Sequence, residues 1–208
     1  MRKATLLATL MMACTFAIPY GGLQHTPRIV PGIVELHHLS PKQMQQTVST
    51  VYLIQELGSI SGRLVFALLV IRIVARRRLL RVFLGPAVVA FCWLFFFAAR
   101  DGLAMFKVAV FCAQGLFNGL HSFWGNYLPR LYPTYLRGTG ESFAMNIGGR
   151  VIGVSAALLT TQLSNMMPGS DAPARLTYSA GVTTVLVLGI AFAASFWFQE
   201  PRSDQLPE

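Results

Sequence analysis

Charge is what this sequence has least of. Only 12% of its 208 residues are Asp, Glu, Lys or Arg, about half the usual share of a soluble domain. So few charges could not cover the surface of a soluble globule of this length. Cysteine is equally scarce: Cys14, Cys92 and Cys112 sit in apolar runs with no close spacing. That excludes a disulfide scaffold and gives no metal or redox signal, leaving packing as their role. Glycine has no triplet period, which excludes collagen, and an apolar content of 54% is too high for a disordered chain. Enzyme signatures are missing too. There is no Gly-x-Ser-x-Gly turn, no two-histidine metal motif and no pair of intramembrane aspartates. Ser59 and Ser61, in the segment Gly58-Ser59-Ile60-Ser61-Gly62, give an intramembrane protease only the weakest of footholds.

What is present is a series of long apolar runs, with a mean hydropathy of +0.54. Six are long enough to cross a bilayer: residues 4–23, 47–71, 82–99, 108–128, 142–163 and 176–198. A helix needs roughly 17–25 residues to cross a hydrocarbon core of about 30 Å. The runs are continuous and lack the ten-residue alternation of barrel strands, so they are read as helices. The expected fold is an all-α integral membrane bundle over residues 1–200, with a polar cytoplasmic tail over 201–208. Met1-Arg2-Lys3 before the first run resembles the start of a secretory signal. The run reaches about 20 residues without a small-residue cleavage site and a soluble domain after it, so it is read as a retained helix.

The basic balance, +9 overall, is explained by topology. With six alternating spans, one side carries Arg2, Lys3, Arg72, Arg76, Arg77, Arg78, Arg81, Arg130, Arg137 and Arg202, ten cations. The other side carries Arg28, Lys42, Arg100, Lys107 and Arg175, five. By the positive-inside rule both termini belong in the cytoplasm of a cell-membrane protein, and no nucleic-acid partner is needed. Residues 24–46 are then a long external loop punctuated by Pro27, Pro31 and Pro41, with Ser40-Pro41 placed to start the second helix ahead of the bilayer.

Ionisable groups inside spans cost roughly 3 kcal/mol each on insertion scales and usually face a cavity or a partner. Glu56 and Arg63 are seven residues apart, two helical turns, and therefore share one face of the second span. Arg150 lies near the middle of the fifth span, within Asn146-Ile147-Gly148-Gly149-Arg150. Arg150 is expected to hold an anionic group or balance Glu56, with Glu56 facing the same pathway, whereas Arg63 is expected only to snorkel or bond a carbonyl. Gln114, Asn118 and His121 recur at i, i+4 and i+7, a polar stripe able to line a cavity or to join helices, and Gln55 and Asn126 add further hydrogen-bonding groups. His121 offers a proton relay or a packing group. Small-xxx-small pairs at Gly58/Gly62, Gly115/Gly119 and Gly149/Gly153 permit close helix crossings.

Two cytoplasmic connections carry a more specific pattern. The segment Leu128-Pro129-Arg130-Leu131-Tyr132-Pro133-Thr134-Tyr135-Leu136-Arg137-Gly138-Thr139-Gly140 resembles the loop between the tenth and eleventh helices of major facilitator superfamily transporters. Gly62-Arg63-Leu64, followed by Arg72 and Arg76-Arg77-Arg78, resembles the loop after their eighth helix. The Gly149-Arg150 pair resembles eleventh-helix sequences of organic-acid and sugar members. The chain departs from that pattern in lacking the usual aspartate near Val70 and Ile71, and in having Arg130 where many members have an acid. Glu141 remains in reach of Arg137 at i, i+4 and is expected in the favourable first turn of the fifth helix.

The resemblance implies the carboxy-terminal six-helix half of a secondary transporter. Such a protein would move a small anionic solute or a sugar, driven by a gradient such as that of protons, with no other cofactor. It implies a partner in the membrane, either an amino-terminal six-helix half or a second copy, because the family's substrate site lies between two halves. Truncation of a longer chain is the first reading of the length, and it makes Met1 an internal methionine. The alternative function is a non-catalytic membrane subunit or remnant.

Overall fold

The computed structural model describes residues 2–198, so the 201–208 tail lies outside the described residues. Among the described residues six helices are long and apolar enough to cross a membrane: α1 Arg2–Gly21, α2 Pro41–Arg72, α3 Arg76–Ala98, α4 Leu103–Tyr127, α5 Thr134–Ser164 and α6 Ala172–Ala194. No strand occurs among those residues. The chain is a multi-pass membrane bundle, as its composition requires.

Helix starts follow local chemistry. Ser40 and Gln43 form a reciprocal capping box at the head of α2, and Pro41, which needs no N–H partner there, takes the first helical position. The helix runs 32 residues, about 48 Å at 1.5 Å per residue, so it projects well beyond the hydrocarbon core. Asp171 caps α6 by accepting the Ala174 N–H at 2.7 Å. The head of α4 is capped from a distance: Glu35 accepts the Leu103 N–H at 2.9 Å, where the helix dipole also favours a carboxylate. The turn before it needs the positive φ of Gly102, and a Cβ there would fall 2.8 Å from the Glu35 carboxylate.

Two expectations require correction. The connection between α1 and α2 is not an irregular loop: residues 23–36 fold into short helical turns, two of them opened by Pro27 and Pro31. Ile29, Val30, Ile33 and Leu36 bury their side chains, so this segment is held down as an apolar lid. The fifth helix starts at Thr134, well before residue 142. Glu141 therefore lies in its third turn, where the dipole gives it nothing, and Gly138 and Gly140 lie inside the helix. Gly140 is where the Tyr132 ring packs: a Cβ would meet that ring at 2.5 Å.

Packing follows a pattern that exchanges the first three helices with the last three. The two most intimate pairs are α2 with α4 and α1 with α5; α3 then packs on α4 as α6 packs on α1, and α3 meets α6. Swapping α1, α2, α3 for α4, α5, α6 converts each of these contacts into another of the set, whereas the α5–α6 contact has no comparable α2–α3 counterpart. Glycine makes both intimate pairs possible. A Cβ on Gly58 or Gly62 would strike the Phe111 or Gly115 carbonyl of α4, and one on Gly148 or Gly153 would strike the Thr9 or Ala13 carbonyl of α1. The pairs at Gly58/Gly62 and Gly149/Gly153 thus sit at the same step of the two triplets. Over Ala144–Gly153 the backbone of α5 widens to π-helical turns, and the Val154 N–H reaches the Gly149 carbonyl at 3.1 Å.

The basic end of the bundle is tied together by arginine. Arg77 donates from Nε to the Phe198 carbonyl at 2.9 Å, and Arg81 donates to the Ser195 Oγ and carbonyl at 3.2 and 3.3 Å. The Arg81 guanidinium also stacks 4.1 Å over the Phe196 ring. These cations satisfy carbonyls at the end of α6 that have no further helix to bond them. Part of the arginine run that topology explains therefore also joins the start of α3 to the end of α6.

Candidate functional site

Between α1 and the α2/α4 pair lies a cavity of about 390 Å³. Its position follows from the packing: glycines draw α2 and α4 together, while α1 is drawn toward α5, leaving a wedge between the pairs. A polar tie joins α4 to α1 beside it, the Trp124 indole N–H donating to Thr15 Oγ1 at 2.9 Å. The aromatic part of the wall comes from Phe16 and Tyr20 of α1, Tyr52 of α2 and Phe117 of α4.

The polar part comes from α2 and α4. Gln55, Glu56 and Arg63 line it from one helix, and Gln114, Asn118 and His121 from the other, so the i, i+4, i+7 stripe does face open space. Arg63 donates from Nη2 to Asn118 Oδ1 at 3.1 Å, and the Asn118 amide in turn donates to the Gln114 carbonyl at 3.2 Å. This chain holds the exposed guanidinium against α4 and leaves most of its five donors uncommitted. Gln55 and Gln114 are 3% and 7% exposed, and each holds a side-chain oxygen with no hydrogen-bond partner. His121 packs between the Phe16 and Phe117 rings, with centroids 5.7 and 5.8 Å away, and its Nδ1 is also unpartnered. Buried polar atoms are normally paired, and each left unpaired costs about 1–3 kcal/mol. Three such atoms, each with almost no accessible surface, lie in the walls of this one cavity.

The chain matches no protein-family model and no curated protein. The site must be read from its own chemistry.

Arg150 and Asn146 occupy the π-helical part of α5, exposed, and neither lines this cavity. Arg150 was singled out by its place near the middle of a span, but depth along a helix does not tell which neighbour a side chain meets. Arg63 moves the other way: expected only to snorkel, it is a principal cation of the cavity. The signal was available, since Arg63 follows Gly62, the point of closest approach to α4, and a side chain next to that crossing must emerge beside α4. The residues of the two loop patterns, Gly62, Arg72, Arg76, Arg77, Pro129, Pro133, Arg137, Gly138, Gly140 and Glu141, lie away from the cavity, apart from the glycine beside Arg63. Asn126, Tyr132 and Glu141, at the basic end, each keep a buried oxygen without a hydrogen-bond partner.

Proposed function

We propose that this chain is one six-helix bundle of a secondary transporter of the major facilitator type, moving a small solute across the cell membrane. The observation that carries the reading is the wedge cavity, where a cation, a carboxylate and the polar side chains of Gln55, Gln114, Asn118 and His121 line one space along the middle of α2 and α4. Aromatic walls with a few convergent polar groups are the usual makeup of a small-molecule site. Two further features support it. Apart from the α5–α6 contact, the helix contacts follow the pattern of inverted three-helix repeats, because corresponding helices are three spans apart along the chain and therefore run in opposite directions. Glu56, Arg63 and Arg150 are exposed on α2 and α5, and roughly 3 kcal/mol for each charge against lipid argues that this side is covered by protein or water.

In this reading a second six-helix bundle, an amino-terminal half or another copy, covers the open side. Transport proceeds by rocking of the two bundles about the cavity, with both termini in the cytoplasm and a proton gradient as the coupling force. Arg63 binds the solute, Asn118 orients Arg63, and Gln55, Gln114 and His121 complete the hydrogen bonds. Arg150 serves the interface between bundles. The test is uptake of labelled organic acids, amino acids and sugars into vesicles containing the chain with an amino-terminal six-helix half. Uptake abolished by Arg63→Gln supports the reading; uptake indifferent to Arg63→Gln and Asn118→Ala refutes it.

A further inference from the structure

A second cavity, of about 230 Å³, lies at the end of the bundle opposite the arginine-tied one and shares no lining residue with the wedge. Its walls are the turns between α1 and α2, the end of α3 and the head of α6. Buried Ile33 and Phe95 give it an apolar floor, and exposed Val34 an apolar rim. Arg100 and Asp171 bring opposite charges to the same space. The Arg100 guanidinium lies over the Tyr178 ring, 5.0 Å from its centroid, and has no hydrogen-bond acceptor among the described residues. Contact with a ring holds the group while its five N–H donors stay available. Asp171 spends one oxygen on the Ala174 N–H, which leaves the other able to accept.

Position along the helices decides what reaches these groups. Arg100 is the first residue past the apolar run 82–99, and Asp171 stands five residues ahead of the run 176–198. Five residues are about 7.5 Å of helix, and the headgroup layer on each side of the hydrocarbon core is about 5–8 Å thick. The two charges therefore bracket that layer, with Tyr178 at its boundary, where aromatic rings are favoured. The chemistry of the layer narrows the ligand. A phosphodiester accepts two parallel bonds from a guanidinium. Inorganic phosphate would answer Arg100 alone and bring like charge toward Asp171. A choline head group turns methyl groups, with no N–H, toward the carboxylate. A primary ammonium two carbons from a phosphodiester supplies donors to Asp171, and the glycerol end behind it meets the apolar floor.

We propose that this cavity binds the head group of a phospholipid with a primary ammonium, phosphatidylethanolamine, its phosphate on Arg100 and its ammonium on Asp171. The Tyr178 ring sets the guanidinium for the phosphate, and Ile33 and Val34 cover the glycerol end. A bound lipid thereby fastens the segment between α1 and α2 to the ends of α3 and α6. The site stands whether or not the wedge carries a solute.

The experiment is native mass spectrometry of the purified full chain in detergent, titrated with dioleoylphosphatidylethanolamine, dioleoylphosphatidylcholine and water-soluble glycerophosphoethanolamine. Asp171→Asn removes the charge and keeps a residue that caps α6 as well. Arg175→Gln, an exposed cation at the same end that does not line the cavity, is the control. Thermal unfolding of each variant confirms that it is folded. The ethanolamine lipid should bind about tenfold tighter than the choline lipid, as one charge-assisted hydrogen bond warrants, with the soluble head group weaker than either. Asp171→Asn should bring the two lipids to equal affinity. Arg100→Gln should weaken both about tenfold, Arg100→Lys should fall between, and Arg175→Gln should change nothing. Equal binding of the two lipids by the wild type overturns the proposal. So does lipid binding that Arg100→Gln and Asp171→Asn leave unchanged, or that Arg175→Gln weakens as much as they do. Glycerophosphoethanolamine bound as tightly as the lipid overturns the membrane source and leaves a site for a soluble zwitterion.

Discussion

Replacing Gly62 by alanine should unfasten the two helices that carry the cavity's polar groups. A methyl group built on Gly62 would fall 1.8 Å from the Gly115 carbonyl oxygen, whereas ordinary contact begins at 3.4 Å. The helices must part by about 1.6 Å, the difference between those two distances. Overpacking typically costs about 1–3 kcal/mol, and relief usually comes from a side chain that rotates away. Here the obstacle is backbone on both helices, so the top of that range, about 3 kcal/mol, applies. At 1.4 kcal/mol per decade this is roughly a hundredfold in the folded population. The same displacement stretches the 3.1 Å bond from Arg63 to Asn118 beyond hydrogen-bonding range. Gly189 is the matched control, since a Cβ there meets nothing within 4 Å. The assay is unfolding of the purified chain in mixed micelles by increasing sodium dodecyl sulfate, followed by tryptophan fluorescence. Gly62→Ala should unfold at a clearly lower detergent fraction than wild type, with Gly189→Ala at or above it. Equal midpoints for the two variants would refute the crossing at Gly62.

Ser40→Ala removes the hydroxyl half of the capping box and should cost about 1 kcal/mol, read as faster amide exchange over the first turn of α2 with the rest unchanged. Arg77→Gln together with Arg81→Gln frees the carbonyls of Ser195 and Phe198, so hydrogen exchange should accelerate over residues 191–198 and not at the opposite end of α6. Trp124→Phe deletes the indole bond to Thr15 while keeping an aromatic ring, and a loss of about 1 kcal/mol in the same detergent titration is expected.

The number of helices was legible because apolar run length is set by bilayer thickness, and nothing in tertiary packing overrides it. Ser40-Pro41 was legible because a cap is a local bond. The start of α5 was not, because Tyr135, Leu136 and Arg137 belong to a helix that hydropathy alone begins at residue 142. The buried turns over 23–36 were hidden by their prolines, which mark a turn without telling whether it is solvated. The cavity was half legible. The stripe on α4 declared its face by periodicity, Glu56 was singled out for its cost in lipid, and Gln55 was noted as a hydrogen-bonding group. The glycine crossing that sends Arg63 toward Asn118, and the pairing of α1 with α5 that keeps Arg150 out, are relations between helices that no single helix encodes.

The central claim is that the wedge between α1, α2 and α4 is an aqueous solute pathway, and cysteine accessibility tests it most directly. After Cys14, Cys92 and Cys112 are replaced by serine or alanine, single cysteines at Arg63 and at Leu186 of α6 are treated in sealed vesicles with a membrane-impermeant thiol reagent. Arg63 lines the wedge, whereas Leu186 is exposed on the apolar groove between α1, α5 and α6. Rapid labelling of Arg63→Cys beside inert Leu186→Cys is the predicted result. Two cysteines equally slow to react would mean a wedge closed to water, and would contradict the account.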